Sequence, residues 1–312
     1  MKKRLLAMLM TGAMVASLAA CGGGSNGGDT QTDSNKGGDT ASTGSCSVDV
    51  ILKTTASEYW SYVKAGAEAY AKDNSDVKVE VKGATSETAY DEQQNMIETD
   101  LNSGAYDAFV IAPLQADLVK TLIAGKSDPI IAVDTNIDAP EVLSFVGTGN
   151  EDAAALGGKE AVKAAQDAGW DKVQAIAISG VQGDGTAMAR LAGYEKGVTE
   201  AGGEFLKGEI QYADAVADKA ANSMEAIMQN HPEGVAIIVC NNDDMAIGAL
   251  QAIQAAGRTV NEDIYLVGVD ALDAALNEVV NGNLTGTVLN DAQSQATQAV
   301  ACMEELLGGK GI

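Results

Sequence analysis

Five short apolar runs of this sequence are each followed closely by a side chain that forms strong hydrogen bonds. These side chains are Lys53, Asp134, Asn242, Asp270 and Asn290. Carboxylates accept hydrogen bonds, an ammonium donates them and amides do both, so the set suits a polar ligand. Each residue on its own also fits a turn or a helix N-cap. Five together favour a binding site.

The elements that position these side chains follow from the hydrophobic pattern. Short apolar runs occur at residues 48–52, 77–81, 108–111, 130–133, 173–178, 235–239, 265–269 and 287–289, and segments of helical periodicity at 59–72, 89–102, 151–168, 186–201, 218–229 and 245–256. This alternation predicts parallel sheets covered by helices on both faces, and the number of strands favours two α/β domains. Ligands of such sheets bind beyond the carboxyl ends of the strands, where the five side chains are expected to converge.

Length and charge restrict the class of partner. The chain has 312 residues, enough for two domains, with 44 acidic and 20 basic residues and a net charge of −24. An acidic surface repels phosphate backbones and anionic headgroups, so nucleic acid is not an expected partner.

Cysteine and histidine are too sparse for a disulfide framework or a zinc site. Beyond the amino-terminal region the chain has Cys46, Cys240 and Cys302, with no C-x-x-C spacing, and its one histidine is His231. These counts predict no metal site and no cofactor.

The amino terminus has the layout of an export signal. A basic head at residues 1–4 precedes an apolar stretch of about 16 residues, shorter than the ~20 that span a bilayer. The segment L-A-A-C ending at Cys21 resembles a bacterial lipoprotein signal, which implies a signal peptide at 1–20 and lipidation of Cys21. A plain signal peptide with an incidental cysteine is the alternative. Residues 21–45, rich in Gly, Ser, Thr, Asn and Asp, predict a flexible tether.

Several motifs resemble the sugar-binding proteins of bacterial ABC importers, the ribose and allose group in particular. The matching segments are 50–55 with 57–60, 112–114, R-L-A-G-Y at 190–194, N-N-D-D-M-A-I-G-A at 241–249 and V-G-V-D at 267–270. The likeness extends from about residue 48 to residue 309. It implies the type I periplasmic binding protein fold: two Rossmann-like domains, each a parallel sheet flanked by helices, joined by a multi-strand hinge.

The resemblance also assigns roles to individual residues. Tyr59 and Trp60 would stack on the apolar faces of a sugar ring. Lys53 and Arg190 would donate to hydroxyls, Asp134 and Asp270 would accept from them, and Asn242 and Asn290 would do both. Ser57 stands where ribose binders have asparagine, and we expect it to contribute more weakly.

Two departures from the family pattern indicate a ligand other than ribose. Thr135 follows Asp134 where ribose binders place arginine. Ala213 and Ala215 flank Asp214 where the family usually has an aromatic residue in the second domain.

The implied organisation has one lobe at residues 46–148 plus 291–312 and a second lobe at 149–290. The chain would cross between lobes near 148–149 and 290–291, and the family's final hinge strand is not found before residue 312. The implied function is a monomeric, lipid-anchored capture protein of the cell envelope, in the periplasm or on the outer face of the cytoplasmic membrane. It would deliver a small sugar to a membrane ABC permease.

Three alternatives remain open at this point. A sensor subunit that presents a sugar-like signal to a membrane receptor would have the same sequence features, and an amino acid is another conceivable ligand. A glycoside-acting enzyme needs two carboxylates facing each other across the substrate, whereas Asp243-Asp244 and Glu304-Glu305 are chain neighbours. With a single histidine available to activate a nucleophile, the chain is not expected to be an enzyme. It also lacks the phosphate loop of an ATPase subunit.

Overall fold

The computed structural model describes residues 45–308. The strands are β1 (Cys46–Thr54), β2 (Val77–Ala84), β3 (Ala108–Ile111), β4 (Ile130–Val133), β5 (Val142–Val146), β6 (Gln174–Ser179), β7 (Glu204–Phe205), β8 (Gln211–Tyr212), β9 (Ile237–Cys240), β10 (Tyr265–Asp270) and β11 (Gly286–Leu289). The helices are α1 (Glu58–Asp73), α2 (Tyr90–Ser103), α3 (Ala116–Ile123), α4 (Asn150–Asp167), α5 (Gly185–Glu200), α6 (Ala217–Asn230), α7 (Asp243–Ala255), α8 (Asp273–Val280) and α9 (Ala292–Leu307). The predicted signal peptide and Cys21 lie outside the described residues.

The strands form two separate parallel sheets. The first has five strands in the order β2-β1-β3-β4-β5, and the second has six, with β11-β10-β9-β6-β7 in line and β8 paired with β6. In each sheet the first strand along the chain is an inner strand. The chain adds strands on one side of it and then on the other, and this switch creates a crevice at the carboxyl ends of the strands. The prediction of two α/β domains with parallel sheets is confirmed.

Both faces of the first sheet are covered because side chains alternate along each strand. On β1, Val48, Val50 and Leu52 pack with α1 and α9. Ile51 points to the opposite face and packs with Ile97 of α2 and the apolar side chains of α3. The strand is therefore buried from Val48 to Thr54, as expected of a parallel sheet that is covered on both sides.

The second sheet is covered in the same way. Helices α4 and α5 pack on one face, where Tyr194 and Val198 meet the alternate residues of β6, β9 and β10. Helices α6, α7 and α8 pack on the other face around Met224 and Ile253. Within residues 45–308, no helix has the length and apolar character that a membrane span requires.

The chain passes between the two sheets twice within the described residues, and the two crossings are bonded to each other. Helix α9 follows the last strand of the second sheet and returns to pack on α1 of the first domain. Thr148 at the first crossing donates a hydrogen bond of 2.7 Å to the Asn290 side-chain oxygen at the second. Gln295 of α9 donates to both residues, at 3.1 and 2.6 Å. These bonds fix the point where the two domains meet.

A buried carboxyl group in β1 gives folding stability a pH dependence. Asp49 is fully buried, with Lys82 Nζ 3.2 Å from its Oδ1. Burial raises the pKa of Asp49 to about 7, because desolvation outweighs the attraction of Lys82. In the unfolded chain an aspartate titrates near ~4. Between about pH 4 and pH 7 the folded state thus binds more protons than the unfolded state, and stability falls as the pH rises.

Asp49→Asn is therefore expected to flatten the decrease in unfolding free energy between pH 4 and pH 7. A difference of one bound proton between the folded and unfolded states changes the unfolding free energy by at most about 1.4 kcal/mol per pH unit. Urea denaturation at four pH values measures this slope. The exposed Asp76→Asn is the matched control and should keep the wild-type slope. An equal slope in all three proteins would refute the assignment to Asp49.

Candidate functional site

A cavity lies between the carboxyl ends of the two sheets and is lined by residues of both domains. Its walls are Lys53, Ser57, Tyr59, Trp60, Glu87, Asp134, Asp184, Thr186, Arg190, Ala215, Asn241, Asn242 and Asp270. Eight of the nine predicted ligand-binding residues are among them. The ninth, Asn290, is not.

An ion pair crosses the cavity from one domain to the other. Lys53 is the penultimate residue of β1 in the first domain. Its Nζ lies 2.6 Å from Asp184 Oδ2, in the loop after β6 of the second domain. Its distance to Asp134 Oδ2 is 3.9 Å. Burial lowers the pKa of Lys53, but the charges of Asp184 and Asp134 outweigh it and hold the pKa above its ordinary value. Lys53 is therefore a charged donor at the domain junction.

Arg190 is fixed on the second domain by three acceptors. Its Nε donates to Asn150 Oδ1 at 2.8 Å and its Nη1 to the Asn241 carbonyl at 2.7 Å. Its Nη2 lies 3.5 Å from Asp270 Oδ1. Burial raises the pKa of Asp270 to about 7 against the opposing charge of Arg190. The guanidinium is thus held in a single orientation at the cavity wall.

Asn290 lies behind Asp270, and its side chain is fully engaged there. Its amide nitrogen donates to Asp270 Oδ1 at 3.1 Å, while its oxygen accepts from Thr148 and Gln295. Direct contact with a ligand was predicted for Asn290. That contact stays a prediction; in the structure Asn290 orients Asp270 and ties that carboxyl to the domain crossing.

The predicted aromatic pair lines the cavity at the start of α1. The Tyr59 and Trp60 ring centroids are 5.0 Å apart with an interplanar angle of 85°. The Tyr59 hydroxyl donates to Asp134 Oδ1 at 2.8 Å and Trp60 Nε1 donates to Glu87 Oε1 at 2.8 Å. Ser57 caps the helix by accepting from the Trp60 amide at 3.4 Å. The polar edges of both rings are thus fixed to carboxylates.

Local backbone conformation places two of the site carboxylates. Asp134 has φ 62° and Asp270 has φ 124°, positive values that residues other than glycine seldom adopt. Such conformations concentrate at functional sites, where the surrounding fold maintains them. Asn242 has an ordinary structural task as well, because it caps α7 by accepting from the Met245 amide at 2.9 Å.

Sequence reasoning missed several lining residues, of which four have polar side chains: Glu87, Asp184, Thr186 and Asn241. Asp184 and Glu87 follow strands β6 and β2. Ligands bind beyond the carboxyl ends of these strands too, so the same rule could have predicted Glu87 and Asp184 as lining residues. Asn241 precedes the predicted Asn242 and lies at the same strand end.

Each domain contributes both hydrogen-bond donors and acceptors to the cavity, and the first domain also contributes the two aromatic side chains. Residues 45–308 contain no cluster of three or more histidine, cysteine or carboxylate side chains suited to a metal ion. Two α/β domains that enclose such a cavity define a solute-binding protein, which holds a polar small molecule between its domains.

Comparison with known proteins gives the family. The chain belongs to the periplasmic binding protein domain family, whose model matches residues 48–311. This is a family of extracytoplasmic solute-binding proteins and not a family of enzymes.

Characterised relatives extend over most of the chain. It is 27% identical over 312 residues to a xylitol-binding protein of Mycolicibacterium smegmatis, covering 98% of this chain and 81% of that protein. It is 30% identical over 274 residues to the D-allose-binding periplasmic protein of Escherichia coli, covering 84% and 85% of the two chains. A solved carbohydrate-transporter solute-binding protein from Agrobacterium radiobacter, in complex with D-arabinose, is similar with a TM-score of 0.78 and 25% identity, covering 86% and 90%.

Proposed function

We propose that this protein captures a small sugar or polyol in the cavity between its domains and delivers it to an ABC importer in the membrane. The observation that carries this proposal is the convergence of Lys53, Asp134, Arg190 and Asp270 beside Tyr59 and Trp60 in one cavity. Relatives named for binding allose and xylitol support the same ligand class.

The chemistry of the walls suits a ring or chain of hydroxyl groups. Lys53 and Arg190 donate, Asp134 and Asp270 accept, and the Trp60 face accommodates C–H groups. A hydrogen bond to a charged group contributes roughly 1.5–3 kcal/mol. Several such bonds, less desolvation and the ordering of the two domains, leave about −8 kcal/mol, which is a micromolar dissociation constant.

We propose that binding closes two lobes, one formed by residues 46–148 with 291–312 and the other by 149–290. The support is the pairing of groups across the cavity, with Lys53 against Asp184 at 2.6 Å and Thr135 against Thr186 at 2.7 Å between hydroxyl oxygens. A solute that contacts both walls favours this closed arrangement, as in other hinge-bending binding proteins.

The cavity favours a solute other than ribose. Ala215 lines the wall at the place where the family usually has an aromatic side chain, so the aromatic contact comes from the first domain. Thr135 donates to Asp134 at 2.9 Å instead of offering a guanidinium to the solute.

A thermal-shift screen of pentoses, hexoses, polyols and amino acids tests this function. A true ligand at 100 times its dissociation constant is expected to raise the unfolding free energy by about 2.7 kcal/mol. Calorimetry on each hit then gives the stoichiometry, for which we expect one solute per chain. A screen in which amino acids stabilise the protein and no sugar or polyol does would contradict the proposal.

We propose that Cys21 carries a lipid that anchors the protein, as a monomer, to the envelope on the outer side of the cytoplasmic membrane. The support is the basic head, the apolar stretch and the L-A-A-C segment. Cys21→Ser is expected to abolish metabolic labelling with palmitate and to release the protein from the membrane fraction. Cys46→Ser is the control and should retain the label. Palmitate on the Cys21→Ser protein would disprove the anchor.

A further inference from the structure

The charges that line the cavity do not balance. Six ionisable side chains of lysine, arginine, aspartate and glutamate contribute to its walls. Two of them are cationic and four are acidic: Lys53, Arg190, Glu87, Asp134, Asp184 and Asp270. The acidic groups thus outnumber the cations two to one at the place where the solute is held.

Each of the two cations is already paired with one carboxylate of the cavity. Lys53 lies 2.6 Å from Asp184, and Arg190 lies 3.5 Å from Asp270. Asp134 is 3.9 Å from Lys53 and otherwise accepts from the hydroxyls of Tyr59 and Thr135.

Glu87 has no ion-pair partner among residues 45–308, and the cation whose charge acts on it, Lys53, is paired with Asp184. The Glu87 Oε1 accepts from the neutral Trp60 indole at 2.8 Å. The acidic surplus of the cavity is therefore located at Glu87 and Asp134, beside the aromatic pair.

A second observation points to a missing donor. Asn241 lines the cavity, is 8% exposed, and its Oδ1 has no hydrogen-bond partner among the described residues. A buried polar atom without a partner is costly, and in native proteins it calls for a ligand or water. The atom is an acceptor, as are the carboxylate oxygens of the residues that line the same cavity.

Two other ways to compensate the acidic surplus, an uncharged polyol and proton uptake, fit the cavity less well. A polyol brings hydroxyl donors but no charge, so the surplus of carboxylates would stay uncompensated once the domains close. Proton uptake is the other route, since burial raises the pKa of Glu87 and raises the pKa of Asp270 to about 7. A proton, however, provides no group for the free oxygen of Asn241.

We propose that the solute is a hydroxylated molecule that carries a protonated amine, such as an amino sugar or an amino-polyol, and that its ammonium pairs with Glu87 and Asp134. An ammonium has three donors and no acceptor, which matches this wall. This inference rests on the proposed solute-binding function and specifies the class of solute.

Calorimetry with matched pairs tests the charge directly. Each pair consists of a neutral compound and its amine: D-glucose with D-glucosamine, D-galactose with D-galactosamine, and myo-inositol with a monoamino-inositol. The N-acetyl derivatives of the two amino sugars keep the bulk of the substituent and lose its charge. In at least one pair the amine is expected to bind at least tenfold more tightly than the neutral parent compound and, for an amino sugar, than its N-acetyl derivative.

Glu87→Gln locates the effect. The ratio of the neutral compound's dissociation constant to that of the amine is expected to fall at least tenfold in this variant. Glu98→Gln removes the same charge from an exposed position of α2 and should keep the wild-type ratio. Melting curves of both variants establish that they are folded.

The outcomes separate this inference from the proposed function. Tight binding of a neutral sugar or polyol, with no gain for any amine, overturns the inference and leaves the function standing. Proton uptake on binding of a neutral solute would explain that result. An amine preference equal in Glu87→Gln and Glu98→Gln overturns the role of Glu87. If neither neutral compounds nor amines bind, in these pairs or in the wider screen, both proposals fail.

Discussion

Replacing Arg190 by alanine is expected to weaken solute binding about a hundredfold. The guanidinium is buried, and its three acceptors hold it against the cavity. Truncating one member of a buried, hydrogen-bonded charge pair costs roughly 2–5 kcal/mol in binding, in part because its partner is left without compensation. In this site the partner is Asp270, which also lines the cavity. Calorimetry with the best hit of the screen measures the loss.

The control for this variant is Arg258→Ala. Arg258 donates to the Pro232 carbonyl at 2.9 Å and does not line the cavity. The Arg258→Ala protein should bind solute as the wild type does. Because Arg190 also joins Asn150 to Asn241, the Arg190→Ala protein is expected to melt at a lower temperature, and binding is compared well below that temperature. Unchanged affinity in a folded Arg190→Ala protein would remove Arg190 from the site.

Gly197→Ala is expected to destabilise the protein by about 3 kcal/mol, close to the upper end for overpacking. Helices α4 and α5 pack closely, and a Cβ at Gly197 would lie 1.9 Å from the Ala155 carbonyl oxygen. That oxygen belongs to a helix backbone, so it cannot be relieved by a rotamer change. The helices must separate, and this disturbs the core under the second sheet. Urea denaturation measures the change.

Gly208→Ala provides the matched control for the helix contact. A Cβ at Gly208 would meet no heavy atom within 4 Å, and its φ is not in the left-handed region. It should unfold within about 0.5 kcal/mol of the wild type. Equal stability of the Gly197→Ala and Gly208→Ala proteins would mean that α4 and α5 do not approach each other as described.

Much of the fold could be predicted because local periodicity reports burial directly. Strands β3 and β4 begin and end where the apolar runs at 108–111 and 130–133 do. Strand β1 extends two residues beyond its apolar run at each end, to Cys46 and Thr54, because backbone pairing with β2 continues past the most hydrophobic part. The short strands β7 and β8 have two residues each, too few for a periodic signal.

The site was partly predictable for a different reason. Parallel sheets bring their carboxyl ends together, so polar residues at those ends point to one place even without coordinates. Which of them pair with each other depends on how the two domains meet, and no local pattern encodes that. The Lys53–Asp184 pair joins positions 131 residues apart. The task of Asn290 behind Asp270 depends likewise on the return of α9 across the domain junction.

A crystal structure of the protein with the tightest-binding compound from the screen tests the central claim most directly. We expect density for one solute between Trp60 and Arg190, with its polar atoms within hydrogen-bond distance of Asp134 and Asp270. A solute bound on the outer surface, with no contact to any of these four side chains, would contradict the account.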